Sequence, residues 1–113
     1  MSCLFCKIVR KEIPAKIAHE DDDTLAFHDI NPVAPTHVLV IPKRHIVSLA
    51  DATPEDEALL GKLLLTAKRI ADAEGRTGEG FRTVINSGPN AGQSVFHVHV
   101  HVIGGRPMAW PPG

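Results

Sequence analysis

The sequence has little charge imbalance, few aromatic residues and no long apolar run. Its 113 residues include no tyrosine, one tryptophan and four phenylalanines, and 12 basic residues against 13 acidic ones give a net charge of −1. The missing basic surplus argues against a nucleic-acid-binding protein. No apolar run approaches the roughly 20 residues that span a bilayer, and no signal peptide is recognisable. We therefore expect a cytoplasmic protein with no membrane or nucleic-acid partner.

Cysteine is also scarce, since only Cys3 and Cys6 are present. In a reducing compartment, a C-x-x-C pair indicates a metal half-site, a redox pair or simple packing more often than a structural disulfide. The chain shows no internal repeat, low-complexity tract or linker, and its length is typical of one domain. We expect residues 1–113 to form a single domain.

The apolar pattern predicts an α+β fold with a mainly antiparallel sheet. The clearest element is a helix over 54–74, with Thr53 as N-cap and Gly75 as terminator. Its predicted apolar face consists of Leu59, Leu60, Leu63, Leu64, Ala67, Ile70 and Ala71. A short helix is predicted over 4–10, and five strands over 15–19, 24–28, 37–42, 81–86 and 94–103. The acidic segment 20–23 is predicted to be a solvated turn.

Histidine is the residue in excess, with seven copies, and three of them alternate with apolar residues in the run F-H-V-H-V-H-V at 96–102. On a strand, this alternation places His97, His99 and His101 on one face. The other face, which begins with Phe96 and continues with three valines, is predicted to pack under the long helix. Three imidazoles on one face fill a core poorly, so we interpret them as a functional site.

Two kinds of chemistry use such a set of imidazoles. Neutral imidazoles are zinc ligands, and an imidazole whose far nitrogen is fixed is a good nucleophile toward phosphorus. The preceding segment, Asn86 to Ser94, combines glycines, amides and hydroxyls, and its backbone N–H groups are suited to binding an anion. Its attachment to the histidine run favours phosphate binding over an ordinary surface loop.

These residues resemble a known family. The H-V-H-V-H-V run at 97–102 resembles the signature of the histidine-triad (HIT) superfamily of nucleotide hydrolases and transferases. Four further segments, K-E-I-P-A-K at 11–16, A-F-H-D-I at 26–30, A-P-T-H at 34–37 and G-Q-S-V at 92–95, are similar to its histidine-triad nucleotide-binding (HINT) branch. So is the terminal W-P-P-G at 110–113.

The resemblance implies a HIT-like fold and a homodimer whose two sheets join across the interface. It implies a purine nucleoside phosphoramidase, which cleaves the P–N bond of adenosine or guanosine 5′-phosphoramidates and releases AMP or GMP. By motif position, His99 is the expected nucleophile that forms a nucleotidyl-histidine intermediate. The carbonyl of His97 is expected to set its tautomer. No cofactor is expected to be required for this catalysis.

The resemblance also assigns supporting residues. His101, Ser94, Asn86, Gly92 and Gln93 are expected to surround the phosphate, with His37 in the same polar network. Asp29 is expected to bind the ribose hydroxyls. The expected lining of the base slot consists of Leu4, Phe5, Ile8, Phe27 and Ile30.

A structural zinc site is a further expectation that some superfamily members suggest. The matching ligands here are Cys3, Cys6, His45 and His97, a suitable tetrahedral set. Related proteins that lack both cysteines do without metal, so packing of Cys3 and Cys6 in the first helix is the alternative.

Other functions remain open at the level of sequence. The runner-up is a dinucleoside-polyphosphate hydrolase, against which the W-P-P-G terminus argues. A nucleotide-binding regulatory module with little catalysis is a second alternative, and a metalloprotein that binds a catalytic metal at the three strand histidines is a third.

Overall fold

The computed structural model describes residues 3–113, which form an α+β fold around one antiparallel sheet. In chain order the elements are helix α1 (Leu4–Val9), strands β1 (Ile17–Glu20), β2 (Thr24–His28) and β3 (Thr36–Pro42), helix α2 (Glu57–Ala73), and strands β4 (Phe81–Val84) and β5 (Val100–Gly104). The strand order is β1-β2-β3-β5-β4. The predicted fold class, with five antiparallel strands and one long helix, is confirmed. No helix within residues 3–113 is long and apolar enough to cross a membrane.

Strand β3 is buried along its whole length because both faces of the sheet are covered. Val38 and Val40 belong to the apolar cluster beneath α2, whereas Leu39 and Ile41 belong to a second cluster that includes residues of α1. This division follows from the alternation of side chains along a strand. The unbroken apolar run in β3 therefore marks a strand with a core on each side.

Helix α2 starts after a short 3₁₀ turn, Pro54–Asp56. The carboxylate of Asp56 accepts a hydrogen bond from the backbone N–H of Thr53 at 2.9 Å, which satisfies a donor at the helix start. The α-helix itself spans Glu57–Ala73 instead of the predicted 54–74, because its first turn has 3₁₀ geometry.

The end of α2 has the cap that the sequence indicates. Gly75 adopts a φ of 74°, in the left-handed region that glycine tolerates without strain. The N–H groups of Gly75 and Arg76 donate to the carbonyls of Asp72 and Ala71 at 3.1 and 2.8 Å. This is a Schellman motif, and it turns the chain back toward the sheet.

The predicted apolar face of α2 is correct except at one position. Leu63 and Ile70 are buried against the sheet, whereas Leu64 is 48% exposed. Successive residues of an α-helix are rotated by about 100°, and this rotation carries Leu64 away from the buried stripe around Leu63.

The last strand is shorter than predicted. It begins at Val100 instead of residue 94, and Phe96 is 62% exposed instead of packing under α2. The pairing with β3 ends at Val40 and Val100, and further along β3 Pro42 has no N–H to donate to a ladder. The N–H of Val98 donates instead to the carbonyl of Ile46 at 2.7 Å. The other elements match their predicted bounds to within two residues.

Candidate active site

A cavity of about 530 Å³ opens between α1, the end of β2, and His99 and His101 at the start of β5. Nine residues that the sequence analysis assigned to the site line this cavity: Leu4, Phe5, Ile8, Phe27, Asp29, Ile30, Ser94, His99 and His101. Phe5 and Phe27 meet edge to face, with ring centroids 5.3 Å apart, and form a rigid apolar wall. The cavity therefore has an apolar end near α1 and a polar end at the histidines.

The ring of His99 has a defined tautomer. Its Nδ1 lies 2.8 Å from the backbone carbonyl of His97, and a carbonyl only accepts. We therefore assign the proton to Nδ1, which leaves a lone pair on Nε2 in the neutral ring. The side chain is 6% exposed and borders the cavity, so this lone pair belongs to a group shielded from bulk water.

The ring of His101 has the opposite tautomer, because a chain of hydrogen bonds fixes it. The backbone N–H of Val33 donates to Nδ1 of His37 at 3.2 Å, which places the proton of the neutral His37 ring on Nε2. That Nε2 lies 2.9 Å from Nδ1 of His101. His101 therefore accepts through Nδ1, and its own N–H is on Nε2.

Burial favours the neutral forms of His37 and His101. It lowers the pKa of His101 to about 4, with added repulsion from His99 and His37 and partial opposition from Asp29. It also lowers the pKa of His37, against the attraction of Asp29. The site therefore presents an N–H donor from His101 beside the ring of His99, with ring centroids 5.0 Å apart.

Asp29 stands just after β2, where the chain turns away from the sheet. One carboxylate oxygen accepts the N–H of Asn31 at 2.8 Å, and the other lies 3.4 Å from Nε2 of His37. Each oxygen can accept more than one hydrogen bond. The carboxylate therefore retains acceptor capacity for a ligand in the cavity that it borders.

The loop before the histidines is held by a buried amide. Gln93 accepts from the N–H of Gly88 at 2.9 Å, and its amide nitrogen donates to the carbonyls of Val47 at 2.7 Å and Val95 at 3.1 Å. Because its side-chain amide is hydrogen-bonded to backbone atoms of the protein, Gln93 stabilises the conformation of the loop instead of facing the cavity. Gly92 ends the loop's 3₁₀ turn with φ 79°, which suits a glycine.

Five of the residues predicted for catalysis or nucleotide binding lie away from the cavity lining: His37, Asn86, Gly92, Gln93 and His97. His97 contributes through its backbone carbonyl, which accepts from Nδ1 of His99. His37 still joins the site through its hydrogen bond to His101. The lining also includes residues that the sequence did not single out: Ile13, Pro14, Ala15, Lys16, His28, Asn31, Leu39 and Val95. The position of Leu39 follows from its register opposite Phe27, which one sequence alone does not show.

A cluster of two thiols and two imidazoles lies next to this site: Cys3, Cys6, His45 and His97. Nδ1 of His97 lies 3.4 Å from Sγ of Cys3, 3.6 Å from Sγ of Cys6 and 3.2 Å from Nδ1 of His45. Sγ of Cys6 lies 3.3 Å from the same nitrogen of His45. Ligands at zinc bond lengths of about 2.0–2.3 Å in a tetrahedron are about 3.3–3.8 Å apart. The observed separations match these edges closely.

The orientation of His97 also fits a metal ligand. Its Nε2 donates to the carbonyl of Pro42 at 2.8 Å, so Nδ1 carries the lone pair that faces the thiols. The side chain is fully buried, and burial lowers its pKa, which favours the neutral, ligating form. His45 contributes its Nδ1, while its buried Nε2 has no partner among the described residues.

Comparisons with known proteins agree with this geometry. The model of the HIT domain matches residues 10–108. An uncharacterised HIT-like protein from Synechococcus elongatus is 61% identical over 97% of this chain and 96% of its own length. The protein HitA of Neisseria gonorrhoeae is 53% identical over 91% of this chain and 95% of its own length.

Solved structures are similar as well. A HIT family hydrolase from Legionella pneumophila superposes with a TM-score of 0.98 at 51% identity, covering 99% of this chain and 100% of that one. A zinc-bound histidine triad family protein from Mycobacterium smegmatis has a TM-score of 0.82 at 40% identity, covering 94% of this chain and 76% of that one. With the family model matching most of its length, this chain belongs to the HIT domain family and resembles HIT family hydrolases.

Proposed function

We propose that this protein is a purine nucleoside phosphoramidase of the HINT branch, with His99 as its nucleophile. The observation that carries the proposal is the 2.8 Å hydrogen bond from Nδ1 of His99 to the carbonyl of His97. This bond leaves the Nε2 lone pair free at the polar end of the cavity. A nucleophile needs such a fixed, unprotonated atom within reach of its substrate.

The reaction has two steps. Nε2 of His99 attacks the α-phosphorus of a nucleoside 5′-phosphoramidate, the P–N bond breaks, and the leaving nitrogen takes a proton from solvent and departs as an amine. Water then attacks the phosphorus of the nucleotidyl-histidine, and the bond from phosphorus to Nε2 of His99 breaks. The hydroxyl of the water stays on phosphorus, and its proton returns to solvent, which replaces the proton taken up by the amine. The products are AMP or GMP and the free imidazole. A covalent intermediate divides one difficult displacement into two easier ones.

Neutral donors surround the proposed phosphate position. The Nε2–H of His101 and the hydroxyl of Ser94 border the cavity and are suited to stabilising negative charge on the phosphate oxygens. Asn86 and the backbone near Gly92 are proposed to complete this cradle when the substrate is bound. Gln93 is proposed to act through the loop geometry that it holds.

The nucleoside is proposed to occupy the remainder of the cavity. The carboxylate of Asp29 has acceptor capacity for the two ribose hydroxyls, and two neighbouring hydroxyls suit a carboxylate. The apolar residues of α1, with Phe27 of β2, provide flat surfaces on which a purine stacks. Ile30, which is 91% exposed, stands at the open rim.

The decisive experiment traps the intermediate. The protein is mixed with adenosine 5′-phosphoramidate, quenched during turnover in conditions that preserve phosphohistidine bonds, digested and examined by mass spectrometry. We expect the mass of one adenylyl group on the peptide that contains His99, and none in the His99→Ala variant. That variant is also expected to lose turnover by about four orders of magnitude while still binding AMP.

Two controls define the activity. His28→Ala, at a histidine that borders the cavity outside the proposed cradle, is expected to keep the adduct. Diadenosine polyphosphate is offered as a competing substrate, and faster turnover of it would favour the dinucleoside-polyphosphate hydrolase. AMP binding without any adduct on wild-type protein would reject the nucleophile and favour a regulatory module.

We also propose that Cys3, Cys6, His45 and His97 hold a structural zinc ion. The ligand separations and the lone pair of His97 carry this proposal. When bound, zinc supplies a rigid cross-link between the N-terminal segment and the sheet, and catalysis does not require it.

Metal analysis of untagged protein tests the zinc site. We expect close to one zinc ion per chain, and the Cys3→Ser/Cys6→Ser variant is expected to lose it. A zinc content below about 0.2 per chain after purification in zinc-containing medium would reject the site.

A further inference from the structure

We propose that the Cys3/Cys6/His45/His97 cluster, when it holds zinc, positions α1 and thereby sets the affinity of the protein for nucleotides. The inference rests on the proposed function and zinc site, and it gives the cysteines a role as positioning residues for the substrate pocket. Three residues of α1, Leu4, Phe5 and Ile8, border the cavity.

Helix α1 depends on other parts of the protein for its position. It has six residues, and helices shorter than about 12 residues are marginal in water by themselves. Phe5 and Ile8 are buried in the smaller apolar cluster, which is a non-directional contact. Among residues 3–9, the side-chain hydrogen bonds to the rest of the described chain all involve Cys3 or Cys6.

Two of the four proposed ligands lie at α1, and the other two are held by hydrogen bonds to or beside the sheet. Cys3 and Cys6 flank the first turn of α1, where the thiol of Cys3 also accepts the N–H of Cys6 at 3.4 Å. His97 is fixed to β3 through the carbonyl of Pro42, and His45 precedes Ile46, whose carbonyl accepts the N–H of Val98 at 2.7 Å. A metal ion here joins α1 to the sheet by coordinate bonds with defined directions.

The side chain most affected by this link is Phe5, which lies between the two cysteines in sequence. Its ring meets the ring of His99 edge to face, with centroids 5.1 Å apart, and the ring of Phe27 at 5.3 Å. A displacement of α1 therefore moves the wall against which the purine is proposed to stack.

The nucleophile itself does not depend on α1 for its tautomer. The carbonyl of His97 that orients His99 belongs to a residue whose side chain is already bound to Pro42. Zinc removal is therefore expected to weaken nucleotide binding and raise KM, with little change in kcat. A zinc ion that acted only on overall stability would lower the apparent kcat through a loss of folded protein and would leave KM unchanged.

The experiment compares zinc-loaded and chelator-treated protein. AMP affinity is measured by calorimetry, folded fraction by circular dichroism, and exchange of the amides of residues 4–9 by mass spectrometry. We expect the dissociation constant of AMP to rise about tenfold on zinc removal, kcat to change by less than about threefold, and exchange to accelerate in α1 but not in β3.

A double-mutant cycle tests the role of Phe5. Phe5→Leu is expected to weaken AMP binding with zinc bound, and zinc removal from this variant is expected to add less than about a further threefold, because both changes affect one wall. The matched ligand variant is His45→Ala, which keeps both thiols and is expected to weaken AMP binding less than Cys3→Ser/Cys6→Ser. If the double cysteine variant does not fold, graded zinc removal from wild-type protein replaces it.

Three outcomes would overturn the inference: no zinc bound, an AMP affinity that stays within about twofold on zinc removal, or fully additive losses in the cycle. Failure of the proposed function is visible separately, because AMP affinity that tracks zinc without phosphoramidate turnover would reject the enzyme activity and leave the positioning role intact.

Discussion

At the scale of single residues, two neighbouring imidazoles acquire opposite roles from backbone atoms. The carbonyl of His97 fixes the tautomer of His99, and the N–H of Val33 fixes that of His101 through His37. The N–H donor of the neutral His101 ring therefore stands beside the oriented ring of His99 before any phosphate enters. Preorganised neutral dipoles of this kind stabilise developing charge with little reorganisation.

Burial of the His101 ring makes the stability of the protein sensitive to acid. The pKa of His101 is about 4 in the folded protein against 6.5 for a free histidine, so the unfolded chain takes up a proton first as pH falls. We expect the free energy of unfolding to decrease from pH about 6.5 to about 5, above the range in which most carboxylates titrate. Urea denaturation across this range measures it.

The matched control for the pH dependence is His101→Asn, which removes the titrating ring. Its slope is expected to be smaller than that of the wild type, with the remainder due in part to His37, whose pKa burial also lowers. Equal slopes in the two proteins would contradict this account.

The sequence predicted which residues form the site better than it predicted their hydrogen-bond partners. Alternation in the histidine run and family resemblance together led to His99, Asp29 and Phe5, which all border one cavity. They did not show that the side-chain amide of Gln93 donates to the backbone carbonyls of Val47 and Val95. Hydrogen-bond partners that lie far apart in sequence, such as Val47, are set by tertiary structure, so no local pattern reveals them.

At the scale of elements, α2 stabilises the sheet through a narrow stripe. We expect Leu63→Ala to lower the free energy of unfolding by about 2–5 kcal/mol, because Leu63 is 1% exposed and the substitution leaves a cavity. Leu65→Ala serves as the control, since the side chain is 61% exposed, and is expected to change it by less than about 0.5 kcal/mol. Urea denaturation compares the two, and similar losses would mean that the helix face is misassigned.

Element positions were predictable where local signals agree. Thr53 caps the 3₁₀ turn that leads into α2, and Gly75 ends the helix, as capping rules predict, because caps act within one turn. The start of β5 was not predictable, because alternation continues unchanged from 96 to 102 while the ladder stops. The start of β5 depends on Pro42, which lies in the neighbouring strand β3 and has no N–H to donate to the ladder.

At the scale of the whole molecule, the sheet ends in two edge strands, β1 and β4. Strand β4 pairs with β5 on one side only, and unpaired edges favour association. We propose the homodimer with sheets joined across the interface, and expect light scattering to give twice the 12.2 kDa of one chain. Thr83→Pro, at the exposed middle of β4, is expected to shift the mass toward 12.2 kDa. A wild-type mass of one chain would reject the dimer.

The hydrogen bond from Val33 to His37 has a consequence for mutational tolerance. Val33 contributes an N–H that every residue except proline possesses, and its own side chain is 54% exposed. A saturation library selected for activity should therefore accept almost any side chain at this position and exclude proline alone. Such a profile would look like that of an unimportant surface residue, although the backbone N–H at this position sets the tautomers of His37 and His101.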